Sequence, residues 1–262
     1  RTSPFAFTGN RFEFRAVGSS QSVSGPLVAM NTMLADSLNW IADKLKVELD
    51  AGKNLADGVL SVLKEIMSLH GNVIFGGDGY SPEWHKMAVE ERGLKNIPTT
   101  ADALLALREE SVIDLFKNTG VLSPVELESR FEVYSEQYIL SIGVEADLVV
   151  DLATTRIYPA SMKYLSELSE TTTSMADLKI KLGGAIIEAL ASETDNMMAA
   201  VKKLKEAKAK HDFDSAEAHM KYCADTIRAL MDEVRTHADM LESIVADDLW
   251  PLPKYQEMLF IK

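Results

Sequence analysis

Apolar and charged residues alternate over residues 10–17, and this is the first clear pattern along the chain. A period of two, with phenylalanines at Phe12 and Phe14, predicts a β-strand with one apolar face and one charged face. The charged face carries these residues at alternate positions: Arg11, Glu13 and Arg15.

Helical periodicity begins after the glycine- and serine-rich residues 18–25. Pro26 suits the first turn of a helix, and apolar residues then recur every three or four positions over Leu27–Leu45. A second helix is predicted over about Leu55–Leu69. Two consecutive helices are therefore expected to follow the strand.

Residues 72–122 are expected to form a connecting region with short helices. Ser81 and Pro82 combine an N-cap with a proline at the first helical position, which predicts a helix that ends near Arg92. Thr100 is predicted to cap a further short helix.

A strong helix start lies at Ser123. Ser123 and Glu126 have the spacing of a capping box, and Pro124 stands between them at the first helical position. An apolar stripe continues from there to Pro159. Because proline lacks a backbone N–H, we expect Pro159 to kink or break this helix.

Two further amphipathic segments follow. A weaker capping signal, Ser174 with Asp177, predicts the start of the first, and the second is predicted over about residues 214–246. The polar residues 169–173 and 211–214 are predicted to be the connecting loops. Three long amphipathic helices with short polar connections predict an antiparallel helical bundle, so the expected fold is mainly α.

Composition narrows the class of protein. The chain has 262 residues, with 27 Lys+Arg against 40 Asp+Glu and a formal net charge of −13. This acidity argues against a nucleic-acid partner, and no apolar run reaches the ~18 residues that span a bilayer, so no membrane partner is expected. A single cysteine, Cys223, favours a reducing cytoplasm. The start at Arg1, without methionine, suggests a piece of a longer protein.

The charged strand face is the strongest candidate for chemistry. A carboxylate held on a strand, as at Glu13, can ligate a divalent cation, and the Arg15 guanidinium can bind carboxylate or phosphate oxygens with two parallel hydrogen bonds. From the pattern alone, cross-strand ion pairs on an exposed sheet face are the simpler explanation, since charged strand faces are common.

Other candidates are weaker. His211, Asp212 and Asp214 suggest a surface metal site, but a polar loop is the simpler explanation. The lysines near the end of the helix that precedes this loop are typical of a solvated helix terminus. Residues 76–79 resemble a phosphate loop only superficially, and a turn is expected.

Several motifs resemble those of the glutamine synthetase family. The arginine of Arg1-Thr2-Ser3, the short loop over residues 4–9 and the strand around Glu13 are similar to the "NR(S/T)" and "R-(I/F)-E-x-R" segments at the end of that family's catalytic domain. Residues 79–84 and 248–260 resemble the type III subfamily in particular. The resemblance extends over the whole chain.

This resemblance implies a division of the chain. Residues 1–71 would be the C-terminal end of an α+β glutamine synthetase catalytic domain, with its last strand and helices. Residues 72–122 would be the connecting region, and residues 123–262 a C-terminal helical bundle with a docking tail.

The resemblance also implies roles for single residues. Glu13 matches a carboxylate that binds the catalytic Mg²⁺ or Mn²⁺. Arg15 matches a catalytic arginine that contacts glutamate and the transferred phosphoryl group, and Arg1 matches an arginine that binds ATP phosphates. Residues 4–9 contain no arginine, although other glutamine synthetases have one there, so that role stays unassigned.

The implied function is that of an ATP-dependent ligase joining ammonia to glutamate through γ-glutamyl phosphate. The implied assembly is a homo-oligomer, a dodecamer of two stacked hexameric rings. Because the other carboxylates and the nucleotide pocket would lie before Arg1, we expect the chain alone to be inactive. The alternative is a non-catalytic helical scaffold or oligomerisation module, which the bundle alone would suggest.

Overall fold

The fold is mainly α, as the sequence predicts. The structure is a computed structural model that describes residues 5–7, 9–14, 22–180 and 183–259. The chain divides into two compact units, Arg1–Phe131 and Glu132–Lys262. Within the described ranges, no helix is long and apolar enough to cross a membrane.

The elements follow one another in simple order. The strands are β1 (Phe5–Phe7) and β2 (Phe12–Phe14). The helices of the first unit are α1 (Ser24–Asp50), α2 (Leu55–His70), α3 (Pro82–Glu90), α4 (Thr100–Leu104) and α5 (Glu110–Asn118). Across the boundary and in the second unit lie α6 (Pro124–Leu152), α7 (Tyr158–Asp177), α8 (Gly184–Lys208), α9 (Ala216–Tyr222), α10 (Arg228–Ile244) and α11 (Tyr255–Leu259).

The two strands form an antiparallel hairpin, β1 against β2. This corrects the expectation of a loop over residues 4–9, because Phe5–Phe7 is itself a strand. Gly9 has a φ of +90°, a value that favours glycine and allows the tight reversal between the strands. The described part of the second strand is shorter than the expected 10–17.

Helices α1 and α2 pack side by side and confirm the two helices expected after the strand. Gly58 lies inside α2 because α1 passes close by: a Cβ at position 58 would be 3.1 Å from Leu45 Cδ1. Lys44 Nζ donates to Glu65 Oε1 at 2.6 Å across the pair. The outer faces of the two helices expose many large apolar side chains, including Leu27, Leu34, Leu38, Leu60, Leu63 and Met67.

Side-chain caps begin most of the short helices. Ser81 Oγ accepts from the Trp84 N–H at the start of α3, as predicted. The cap of α4 is Thr99, one residue earlier than the predicted Thr100, and its hydroxyl accepts from the Asp102 N–H. At α6 the predicted capping box is present: the Ser123 N–H donates to Glu126 Oε2 at 2.7 Å, and the Glu126 N–H donates to Ser123 Oγ.

Pro159 interrupts the regular hydrogen-bond pattern of its helix, because proline has no backbone N–H to donate. Between α6 and α7 the chain makes a π turn over Ala153–Ile157, in which the Tyr158 N–H bonds the carbonyl of Ala153, five residues earlier. A regular helix would leave the Thr155 carbonyl facing the proline ring without a donor. The π turn accommodates the proline without ending the helical path.

The predicted loop over residues 169–173 and the capping signal at Ser174 and Asp177 are wrong. These residues belong to α7, and the connection to α8 lies further along the chain. The hydroxyls of Thr171, Thr173 and Ser174 donate to carbonyls four residues earlier within the helix. Because hydroxyls can bond in this way, a serine- and threonine-rich run continues a helix as well as it caps one.

The core of the second unit is built by α8 and α10, with the π turns and α7 against them. Its fully buried side chains include Leu190, Met197, Leu204, Val234 and Leu241. His237 Nδ1 lies 2.8 Å from Glu193 Oε2 and joins α10 to α8 at the edge of this core. Trp250, in the segment after α10, is 8% exposed and belongs to the same core.

Candidate functional site

The strand hairpin positions the candidate metal ligand Glu13. It is the central residue of β2, and its register partner across the hairpin is Ala6. The neighbouring register pairs are Phe5 with Phe14 and Phe7 with Phe12. The residue in register with Glu13 is thus an uncharged alanine.

Glu13 contacts a guanidinium of its own strand. Arg11 Nη2 lies 3.8 Å from Glu13 Oε1, and the two side chains are 75% and 36% exposed, respectively. A pair at this distance and exposure contributes little to stability, because water screens the attraction. The Glu13 carboxylate is thus held on a short strand and stays accessible from solvent.

The other two predicted site residues, Arg1 and Arg15, lie outside the described residues. The structure therefore describes one member of the predicted set, Glu13, and the roles given to Arg1 and Arg15 stay predictions.

A carboxylate such as Glu13 fits an oxygen-preferring divalent cation as one ligand, since Mg²⁺ is commonly held by one or two carboxylates and otherwise by water and phosphate oxygens. Among the described residues, no group of three or more His, Cys, Asp or Glu side chains could hold a metal ion. Glu13 is thus a candidate for a single ligand rather than for a complete protein cage.

An arginine–aromatic cluster organises the start of the connecting region, and the sequence analysis did not predict it. The Phe75 and Trp84 rings stack with centroids 3.7 Å apart. The Arg92 guanidinium lies 5.1 Å from the Trp84 ring centroid, and its Nη1 donates to the carbonyls of Asn72 and Ile74. The cluster fixes the turn over residues 76–79, so this glycine-rich run is a turn, as expected.

A second cluster lies where α8 is joined to α9. The Phe213 ring stacks on the His219 ring at 4.2 Å, and Lys210 Nζ lies 4.8 Å from the Tyr222 ring centroid. Burial lowers the pKa of His219, and the nearby His211 imidazole lowers it further. The sequence pattern did not predict this cluster. Lys210 and Phe213 come from the loop after α8, whereas His219 and Tyr222 come from α9.

Residues 58–176 match the family described as glutamine synthetase C-terminal domain. The chain is 38% identical over 271 residues to a type-3 glutamine synthetase of Dictyostelium discoideum, an alignment that covers 100% of this chain and 37% of that protein.

Two bacterial relatives give the same result. A glutamine synthetase of Bacteroides fragilis (strain YCH46) is 34% identical, with 100% of this chain and 37% of that protein covered. One from Butyrivibrio fibrisolvens is 31% identical, with 99% and 37% covered. The chain therefore spans a little over a third of the length of these relatives, and the resemblance stated from its motifs is confirmed.

Proposed function

Since the chain resembles type III glutamine synthetases along its whole length, we propose that it is the C-terminal portion of an ATP-dependent glutamate–ammonia ligase. The single observation that carries this proposal is the alignment with the three relatives, which covers 99–100% of the chain. The proposed reaction phosphorylates the side-chain carboxylate of glutamate, and ammonia then displaces the phosphate to give glutamine.

We assign to Glu13 the task of holding a divalent cation. Its place at the centre of β2, with an uncharged residue opposite, supports this assignment. A bound Mg²⁺ or Mn²⁺ would offset the negative charge that develops on the phosphoryl group during transfer. The Glu13 side chain is 36% exposed, so a cation can reach its carboxylate from solvent.

The two arginines complete the proposed assignment. Arg15 would bind the transferred phosphoryl group and the glutamate carboxylate, because a planar guanidinium can donate two parallel hydrogen bonds to either group. Arg1 would bind the phosphates of ATP as the second guanidinium. Both roles come from the family resemblance at these positions in the sequence.

We also propose that this chain needs the rest of a longer subunit for activity. It spans 37% of each relative, and one candidate metal ligand is too few for a catalytic site. The many exposed large apolar side chains of α1 and α2 support this, because large apolar surfaces are usually covered in a working protein. The proposed assembly is a homo-oligomer of two stacked hexameric rings, located in the cytoplasm.

The second candidate function is a helical scaffold without chemistry. The observation that favours it is the second unit, in which α7, α8 and α10 form a core that does not include Glu13. Under this alternative, Glu13 would be a surface residue of no catalytic consequence.

Glutamine formation distinguishes the two candidates. The subunit with all of its preceding residues should convert glutamate and ammonia to glutamine with stoichiometric release of phosphate from ATP. The 262-residue chain assayed alone should form none. Absence of glutamine formation by the longer subunit would refute the ligase, and turnover by the 262-residue chain alone would refute its dependence on the rest of the subunit.

A further inference from the structure

The second unit contains a groove that the proposed ligase reaction does not use. It has a volume of about 310 Å³ and lies between α6 on one side and α9 with the loop before it on the other. A shallower depression continues from it and shares Ile139, Leu140, His211 and His219 as lining residues. This volume is within the range of small-molecule sites, which begins at roughly 300 Å³.

The floor of the groove is apolar. Ile142, Cys223 and Ile227 are buried and line it, and Leu140 on its rim is 65% exposed. Cys223 and Ile227 are the two ends of the second π turn, which has no proline to explain it. Turns of this kind occur often at functional sites.

One end of the groove is basic. Lys208 is paired with Asp147 across the groove wall. Lys210 Nζ instead lies over two rings, 4.8 Å from the Tyr222 centroid and 5.1 Å from that of Phe213. Within the part of the chain that the structure describes, no carboxylate lies within ion-pair distance of Lys210. A ring face compensates a cation only in part, so the ammonium can still accept an anion.

Imidazole groups add donors at the same end. His211 and His219 both line the groove, and the His219 ring is fixed against Phe213 with the two planes 7° apart. Burial and then the nearby His211 imidazole lower the pKa of His219, so its ring contributes a neutral hydrogen-bonding group beside the Lys210 ammonium. The groove is lined by two lysines, Lys208 and Lys210, and by the carboxylate of Asp147, in a chain whose net charge is −13.

We propose that this groove binds a small organic carboxylate with an aliphatic or aromatic body. The carboxylate lies against Lys210 and His211, and the body covers Ile139, Leu140 and Ile142. A phosphate ion alone would leave the apolar floor uncovered, and a neutral apolar molecule would leave the ammonium without an anion. The chemistry of both ends is satisfied only by a molecule that has both parts.

Calorimetric titration of the 262-residue chain with 3-phenylpropionate tests the site. We expect saturable binding that is at least about tenfold tighter than that of the isosteric 3-phenylpropionamide or of acetate, because the amide lacks the charge and acetate lacks the body. Equal affinity for acid and amide, or no saturable binding of the acid, would overturn the proposal.

Substitutions in the groove, with one control outside it, test where 3-phenylpropionate binds. Lys210→Gln should weaken 3-phenylpropionate binding about tenfold, because a charge-assisted contact is lost. Lys202→Gln is the matched control, since Lys202 is an exposed lysine of α8, the helix that ends just before Lys210, and pairs only weakly with Glu206 at 3.9 Å. Leu140→Asn should also weaken binding, and its exposed position allows the fold to persist, which circular dichroism checks. Equal effects of the two lysine variants would contradict the assigned site.

Discussion

Ala6 lies directly opposite Glu13 in the antiparallel hairpin of β1 and β2. The residue in register with Glu13 is thus an uncharged alanine on the neighbouring strand. The ion pair of Glu13 with Arg11, at 3.8 Å on the same strand, is exposed and contributes at most about 1 kcal/mol.

The turn before α3 depends on the absence of a side chain at Gly77. A Cβ there would lie 2.6 Å from Phe75 Cζ, so the Phe75 ring would have to leave its stacked position on Trp84. We expect Gly77→Ala to lower the free energy of unfolding by about 1–2 kcal/mol, as overpacking does elsewhere. Chemical denaturation measures the change.

The matched control is the neighbouring Gly76, where an added Cβ would meet nothing within 4 Å. Gly76→Ala should leave stability almost unchanged. Equal losses for the two variants would show that the stacked cluster does not constrain this turn.

Substitution of two adjacent residues, one buried and one exposed, tests which face of α10 packs against the core. Leu241 is 0% exposed and Met240 is 50% exposed. Truncating a buried leucine costs about 2–5 kcal/mol because a cavity remains, so Leu241→Ala should lower the unfolding midpoint markedly. Met240→Ala should change it by less than about 0.5 kcal/mol. A larger effect at Met240 would mean that the helix is rotated relative to the core described above.

Trp250 anchors the segment after α10 to the core of the second unit. Trp250 belongs to the core of the second unit, whereas Met258 and Leu259 in α11 are exposed. Deleting residues 250–262 should therefore lower the thermal midpoint clearly, because burial of a large aromatic ring is lost. Deleting only residues 255–262 should leave the midpoint within a few degrees. The same decrease for both deletions would place the stabilising contact in α11 instead.

The capping box of α6 should give a measurable pH dependence. Hydrogen bonds from the Ser123 N–H, and then from its hydroxyl, lower the pKa of Glu126. Because the pKa is lower in the folded chain, the stabilisation is present above the unfolded value of about 4.3 and is lost as the pH falls through the lower folded value.

Glu126→Gln removes this titration. The difference in unfolding midpoint between the wild type and Glu126→Gln should therefore shrink as the pH is lowered from about 6 to about 3. Thermal unfolding at several pH values measures it, and a difference that stays constant over that range would refute the role of the carboxylate.

The sequence correctly predicted those features of the helices that depend on residues within one or two turns of each other. The capping box at Ser123 and Glu126 and the proline at 159 act within one or two turns, so their effects could be inferred from the sequence. The hydroxyls of Thr171 and Ser174 have two ways to bond, to a following N–H or to a preceding carbonyl, and the sequence does not distinguish between them. The strand β1 was not predicted because the four residues between Pro4 and Gly9, three of which form the strand, resemble a loop.

The two candidate sites differ in how far apart their residues lie along the sequence. Glu13 is predicted as a site residue from its place in an alternating strand together with the family motif, and both signals are contiguous in sequence. The groove beside α6 combines Ile139 and Leu140 with Lys210 and Tyr222, more than 60 positions away. Such a site exists only after the helices have packed, so no motif could have predicted it.

The metal dependence of glutamine formation tests the central proposal, that Glu13 ligates the catalytic cation. Glu13→Gln keeps the volume of the side chain and removes the charge, whereas Arg11→Gln breaks the same ion pair and leaves the carboxylate. If the pair mattered only for stability, both variants would lower stability slightly and alike, with turnover unchanged.

The decisive measurement is the Mg²⁺ concentration that gives half-maximal glutamine formation by the complete subunit. We predict that Glu13→Gln raises it at least about tenfold and lowers the maximal rate, while Arg11→Gln stays within about threefold of the wild type. A wild-type rate and an unchanged Mg²⁺ dependence for Glu13→Gln would contradict the assignment of Glu13 to the active site.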